Sequence, residues 1–527
     1  MAIQTIAVIT IAMVGSSISS QLVDLAIADI GGAFSVSADE ASWIACVATM
    51  AEVAGIPIAA TLVRAVSLRT LVLWTAAVYV VCAVGSLHAG SQQELLVLRT
   101  MQSFCSGILS VLMFVTVAAT LPPGPARNVG LAAFAFASTA PVALNAPVGA
   151  FVTERFGWQG LYYFDIAWAL VLLALTWRVI RRTPRSMRLS EIDWLGYVLL
   201  SIGLAALIMF MKQGDRFFWL DNPVIVRAGI VAAVVIPVAV LVQLLRAHPL
   251  MDLRLLMKPT FGWAIALATF YRFGLVMTAF VMPQALMNLQ GFRMPEIAGA
   301  TIWMFWAECV AFPLAWYWAT RGDARLPLSL GLLLFAFGAF LCTYLTPGWQ
   351  AGDFRLTMIA IGLGQGLFLV PTVLYAARDV APQQGTTAAS LFNLSRVVGQ
   401  TFGIAAIATL ITEREKFHSN LLVDSFNSAN PALIERFNGL VATFFGATGD
   451  RTRAQLQAWQ SLSGSASNQA YVLAFADAFV IVAVVMAVSA LLVLMLPPLR
   501  EKAQKPGLPP AEARPRIDPV LASTEPT

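Results

Sequence analysis

Apolar residues along this 527-residue chain come in long runs divided by short polar connections. An α-helix needs about 20 residues to cross roughly 30 Å of hydrocarbon. Fourteen runs reach that length, centred near residues 16, 52, 79, 106, 140, 169, 203, 235, 272, 308, 336, 365, 400 and 484. The pattern predicts an all-α integral membrane protein of fourteen transmembrane helices: two six-helix bundles plus two inserted helices. The first run has no Lys or Arg ahead of it and is closely followed by the second, so it is expected to be a retained helix.

The same pattern divides the chain. Residues 1–188 form the expected N-terminal six-helix bundle, 189–256 the two-helix insert, and 257–497 the C-terminal six-helix bundle. A long segment rich in Ser, Asn and Gln, 413–470, separates spans thirteen and fourteen and reads as an outer loop. Residues 498–527, dense in proline and charge, read as a disordered cytoplasmic tail.

Basic residues set the orientation. With both termini inside, the short inner loops hold fourteen Lys and Arg, among them Arg64, Arg69, Arg127, Arg321, Arg325 and Arg378. The short outer loops hold four: Arg155, Lys212, Arg216 and Arg293. Five more in 413–470 still leave the excess on the cytoplasmic side. The basic stretch RRTPRSMRLSEIDW, 181–194, reads as an orientation determinant.

Composition agrees with the hydropathy. The chain is 59% hydrophobic and 12% charged, with a net charge of only +5, which gives no ground for a nucleic-acid partner. Cys46, Cys82, Cys105, Cys309 and Cys342 all lie inside apolar runs without a CxxC, so neither a disulfide framework nor a zinc site is expected. His88, His248 and His418 stand apart from one another, and no metal or other cofactor is expected.

The chemistry lies in charges that the spans retain. Five arginines (Arg99, Arg227, Arg272, Arg355, Arg396) and six acids (Asp24, Asp29, Glu52, Asp165, Glu308, Asp477) remain after the loops are assigned. Each costs on the order of 3 kcal/mol near the bilayer centre, so it is kept only if paired, hydrated or useful. Asp24 and Arg99 each lie about six residues, roughly 9 Å, from the outer ends of spans one and four, and can meet at one depth. Glu52 sits near the midplane with no basic residue at that depth in the first six spans. It reads either as a proton carrier or as a neutral carboxyl bonded to a neighbouring helix. Arg272 and Glu308 fall near the midplane of consecutive, oppositely directed spans and are expected to pair, as a fixed clasp or as a switch. Asp29, Asp165, Arg227 and Asp477 lie nearer the outer boundary and read as interfacial. Around Arg272 and Glu308 the chain is rich in aromatic and thioether residues, including Tyr271, Met277, Trp303, Met304, Phe305 and Trp306, a subset of which could line a cavity for an adaptable apolar ligand.

Two echoes hint at an internal repeat. The inner connection VRAVSLRT after span two has a counterpart, TRGDARLP, after span ten, and an arginine opens both span four (Arg99) and span twelve (Arg355).

Several motifs carry a resemblance: VDLAIADI at Asp24, SWIACVATMAEVAGIP with Trp43 and Pro57, and LRTMQS at Arg99 and Gln102. So do DWLG at 193–196, HPLMDLRLLMKPTF at 248–261, MPQALMNLQGF at the end of span nine, and SLFNLSRVVGQTFG with Asn393 and Arg396. On these the chain resembles the fourteen-spanning drug/proton antiporter family of the major facilitator superfamily, particularly the branch that works with a periplasmic adaptor. It departs from that family at ATLVRAVSLR, where the inner-loop motif is reduced, and at NAPVGA in span five, where only Gly149 fits the antiporter pattern.

The resemblance implies the major facilitator fold and proton-coupled efflux of amphipathic or apolar drugs across the bacterial inner membrane. It also implies a possible periplasmic adaptor (membrane fusion protein) and an outer-membrane channel as partners, with 413–470 facing the adaptor. Asp24, Arg99 and Glu52 are then the expected proton-coupling residues. Gln102, Arg272, Trp303, Trp306, Glu308, Asn393 and Arg396 are candidates for the substrate cavity. The alternative is a transport-inactive membrane sensor or scaffold that keeps the fold. An enzyme is not expected, because no nucleophile motif or His/carboxylate cluster is present.

Overall fold

The computed structural model describes residues 2–121, 124–180, 184–185, 187–246, 248–378, 380–381, 384–424 and 431–496. The expected disordered tail, 498–527, and part of the basic linker lie outside the described residues. Among the described residues the chain is helical, with no β-strand.

The helices are α1 (Ala2–Leu25), α2 (Ile27–Ala33), α3 (Ala38–Ala65), α4 (Leu68–Leu87), α5 (Gln92–Thr120), α6 (Pro125–Phe156), α7 (Gly160–Val179), α8 (Trp194–Gly214) and α9 (Pro223–Leu245). They continue with α10 (Pro259–Val276), α11 (Met282–Gln290), α12 (Met294–Arg321), α13 (Arg325–Leu341), α14 (Arg355–Arg378), α15 (Gly385–Asp424), α16 (Pro431–Thr448) and α17 (Arg451–Leu494). Thirteen uninterrupted segments are long and apolar enough to cross a membrane, and one of them, Ala126–Val179, is divided by the turn Gly157–Gln159 into α6 and α7. The fourteen helices that result contain all fourteen centres expected from hydropathy.

Local chemistry explains the boundaries. Ser37 caps α3 through a reciprocal box with Glu40 (Glu40 N to Ser37 Oγ, 3.2 Å; Ser37 N to Glu40 Oε2, 2.9 Å). Ser91 caps α5 at Glu94 N, 3.3 Å. Pro57, Pro237, Pro313 and Pro371 sit inside helices without ending them, as neighbouring helices allow in a membrane bundle. In the ninth span α10 widens into a π-turn over Met277–Val281, just ahead of Pro283, whose ring cannot sit in an ordinary helical ladder.

Small residues let the helices touch backbone to backbone. A Cβ added to Gly107 of α5 would lie 2.2 Å from the Glu52 carbonyl of α3, and one on Gly55 of α3 would lie 2.4 Å from the Phe104 carbonyl of α5. The second half repeats the device: a Cβ on Gly362 of α14 would lie 2.3 Å from the Met304 carbonyl of α12. The two inserted helices, α8 and α9, pack on each other, and α8 rests against α3 and α15.

The start of α8 shows why the insert opens with DWLG. Asp193 caps α8 at Gly196 N (2.9 Å) and accepts from Arg246 (2.6 Å) and Gln243 (3.2 Å) at the end of α9. A Cβ on Gly196 would fall 2.1 Å from the Gln243 amide nitrogen, so only glycine leaves room for this clasp.

One expectation is corrected here. Residues 413–470 are not an irregular loop: α15 runs on to Asp424, α16 follows, and α17 begins at Arg451. At 1.5 Å per residue, the 40 residues of α15 and the 44 of α17 measure about 60 and 66 Å, roughly twice the hydrocarbon thickness. The polar composition hid an apolar stripe. Ala454, Ala458 and Leu462 recur every four residues and are buried, and Trp459 packs on Phe437 of α16 with ring centroids 4.7 Å apart.

Candidate functional site

Two polar networks lie buried inside the helical bundle. The first lies within the N-terminal helices α1, α4, α5 and α7. Arg99 of α5, 2% exposed, donates to the Gln102 side chain at 3.0 Å and to the Ser19 carbonyl of α1 at 2.9 Å. Gln102 in turn donates to Asp165 of α7 at 2.6 Å, and the Arg99 guanidinium lies 3.7 Å from the same carboxylate oxygen. Tyr79 of α4 bonds the Ser19 hydroxyl and packs against Trp168, ring centroids 5.0 Å apart.

Asp165 keeps the place near the start of α7 that led it to be read as interfacial, but its side chain does not face the surface. It is buried and holds the other side of the Arg99–Gln102 pair. Counting residues from a helix end gives depth but not the face, and α7 turns Asp165 inward. The side chain of Asp24 lies outside the described residues, so its expected pairing with Arg99 is neither seen nor excluded.

The second network joins the two halves of the molecule. Glu52 of α3 accepts from Arg396 of α15 at 2.6 Å, both side chains less than a tenth exposed. The expectation of an unpaired Glu52 is thus corrected. Its partner comes from span thirteen, in the opposite half, and a search confined to the first six spans could not find it. Nearby, Ser390 of α15 donates to the Ile56 carbonyl of α3 (3.2 Å), and Asn393 donates to the Ser110 carbonyl of α5 (3.5 Å).

Glu308 of α12, 0% exposed, also reaches the other half, where Thr139 of α6 bonds its carboxyl. Arg272 of α10 is equally enclosed. Among the described residues the two do not come within ion-pair distance, and the Arg272 Nη2 has no hydrogen-bond partner. The expected Arg272–Glu308 pair is therefore absent in this conformation, although the two lie within electrostatic reach of each other. The α6 hydroxyl takes the place that the arginine was expected to hold.

Aromatic contacts seal the same boundary. Phe136 of α6 meets Phe312 of α12 with centroids 5.1 Å apart, and Phe134 meets Phe392 of α15 at 6.2 Å. These contacts lie at mid-depth and toward the helix ends that carry Arg64, Arg127, Arg321 and Arg378. Along these contacts the two halves are closed together.

Three of the remaining candidates, Trp303, Trp306 and Gln102, fall apart from this boundary. Trp303 lies beneath the Arg355 guanidinium, 4.7 Å from its ring centroid, and Trp306, 59% exposed, faces away from the buried networks. Gln102 is bound inside the first network. Asn393 and Arg396 lie at the boundary between the halves.

A family model described as Major Facilitator Superfamily matches residues 9–404. The chain is 22% identical over 439 residues to the multidrug export protein EmrB of Escherichia coli (strain K12), covering 82% of this chain and 85% of that protein. It is 23% identical over 491 residues to the colistin resistance protein EmrB of Acinetobacter baumannii, covering 90% and 92%. Among solved structures, that of a POT family transporter in complex with a thioalcohol-conjugated peptide superposes with a TM-score of 0.58 at 14% identity, covering 93% of this chain and 95% of that one.

Proposed function

The chain belongs to the Major Facilitator Superfamily, and on that premise we propose that it is a proton-coupled exporter of amphipathic or apolar small molecules in a bacterial inner membrane. The single observation that carries the reading is the Glu52–Arg396 pair, a carboxylate of one half bound at 2.6 Å to an arginine of the other. Removing one partner of a buried ion pair costs roughly 3–5 kcal/mol. Protonating Glu52 removes the attraction without removing the side chain, so a proton arriving there favours separation of the halves at their inner ends. A ligand or proton shifts a two-state balance only by its differential affinity for the two states, and Glu52 is charged in one state and releasable in the other.

Asp24, Arg99 and the newly placed Asp165 form the second coupling element of this reading. Protons enter from the outer side at Asp24, and Arg99 is held in register by Gln102 and Asp165. The relatives named as multidrug export and colistin resistance proteins support an exported substrate of drug-like chemistry. The helical projection made by the outer ends of α15 and α17 with α16 is the surface for a periplasmic adaptor, which would extend the path to an outer-membrane channel.

Efflux of ethidium from cells that lack their other exporters tests the reading. Wild-type chain is expected to lower dye accumulation in a manner abolished by a protonophore, while Asp24→Asn and Glu52→Gln reach the membrane and fail to do so. Full efflux by both variants rejects the proton-coupling assignment. Loss of adaptor capture on deletion of residues 431–448 supports the projection as the docking surface, and undiminished capture removes it.

A further inference from the structure

The two carboxyls at the boundary occupy equivalent places in the fold. Glu52 is the fifteenth residue of the 28-residue α3, and Glu308 is the fifteenth residue of the 28-residue α12. Each of these helices is backed by a glycine contact from the helix two spans later, Gly107 on the Glu52 carbonyl and Gly362 on the Met304 carbonyl. Each carboxyl then crosses to the opposite half. Glu52 of span two reaches Arg396 of span thirteen, and Glu308 of span ten reaches Thr139 of span five.

The symmetry fails in the partner. Arg396 is a cation, whereas Thr139 offers one hydroxyl with one proton. That hydroxyl also lies 3.2 Å from two carbonyls of its own helix, Ala135 and Phe136. A single proton serves one of these three acceptors well. If Glu308 itself carries a proton, its O–H fills the contact to Thr139, and the threonine hydroxyl remains free to bond its own helix. The groups that face Glu308 are Thr139 from α6, Gln365 from α14, and Tyr271 and Arg272 from α10, with Cys309 adjacent on its own helix. Only Arg272 among them is a cation, and it stays beyond ion-pair distance. A buried carboxylate without a paired cation is costly, and such a group neutralises instead.

We propose that Glu308 is a further proton-carrying residue of the transport cycle, protonated while Thr139 holds it across the closed boundary and ionised against Arg272 once the halves part. The step is a proton transfer only. The Glu308 O–H bond breaks, its proton leaves to water on the inner side, and the carboxylate exchanges the threonine for the arginine of its own half. This rests on the proton-coupled exporter reading and adds to it a specific carboxyl, a partner exchange and a further proton.

Full-length protein in phosphatidylethanolamine/phosphatidylglycerol liposomes tests it, with ethidium as substrate, pyranine reporting protons, and infrared difference spectra reporting protonated carboxyls. Glu308→Gln is expected to lose a protonated-carboxyl band and to move one proton fewer per ethidium. Thr139→Val, which keeps Glu308, is expected to shift the band rather than remove it. A Glu308→Gln protein with the wild-type band, or with the wild-type ratio of protons to ethidium, overturns the assignment. A wild type that moves ethidium with no protons instead overturns the exporter's proton coupling, and the role of Glu308 with it.

Discussion

The Glu52 carboxylate and the Arg396 guanidinium, 344 positions apart in the chain, meet at 2.6 Å across the boundary between its two halves. Each is almost fully buried, so parting the halves at this point means breaking the pair.

Charge exchange at this pair gives the first prediction. Glu52→Arg alone places two arginines in one buried site and is expected to abolish efflux and lower the melting temperature, and Arg396→Glu alone does the same with two acids. The double variant Glu52→Arg/Arg396→Glu restores the attraction and is expected to regain folding stability, measured by thermal unfolding in detergent. It is not expected to regain proton-driven efflux, because the carboxyl now sits on the other half. A double variant no more stable than the singles contradicts direct pairing.

Helix packing beside Glu52 gives the second. Gly107→Ala pushes a methyl to 2.2 Å from the Glu52 carbonyl, an overpacking that costs about 1–3 kcal/mol. Gly439 lies inside the exposed α16, where an added Cβ meets nothing within 4 Å, and Gly439→Ala there gains about 0.5–1 kcal/mol of helix propensity. Thermal unfolding is expected to move in opposite directions for the two. Equal effects would show that the α3–α5 contact is looser than described.

The insert gives the third. Gly196→Ala displaces Asp193 or Gln243 from the inner clasp, and Asp193→Ala removes the cap of α8, a loss of about 1 kcal/mol. Both are expected to increase trypsin cleavage after the exposed Arg188 in the full chain while leaving the protein in the membrane. Cleavage at the wild-type rate would show that the clasp does not hold the start of α8 in place.

Hydropathy alone made the fourteen spans legible, because each is a long apolar run and the hydrocarbon fixes its length. Side-chain partners were not legible from spacing. Arg99 and Gln102 were picked out together by a motif but assigned to different roles, the expected Arg272–Glu308 pair is absent, and Asp165 was misjudged because depth says nothing about which way α7 turns it. Arg396 was found through a motif, yet its pairing with Glu52 depends on how two halves dock, which no local spacing encodes. The projection beyond the membrane was hidden for a third reason: Ala454, Ala458 and Leu462 are small or scattered enough to be masked by the Ser, Asn and Gln around them.

Pulsed electron paramagnetic resonance between labels at Val129→Cys and Leu326→Cys, exposed positions at the arginine-rich ends of α6 and α13, measures the opening directly. Acidification is expected to lengthen the distance in a protein whose Glu52 is intact, and Glu52→Gln is expected to hold the long distance at every pH. A short, pH-independent distance in Glu52→Gln, matching the wild type at neutral pH, would contradict the account.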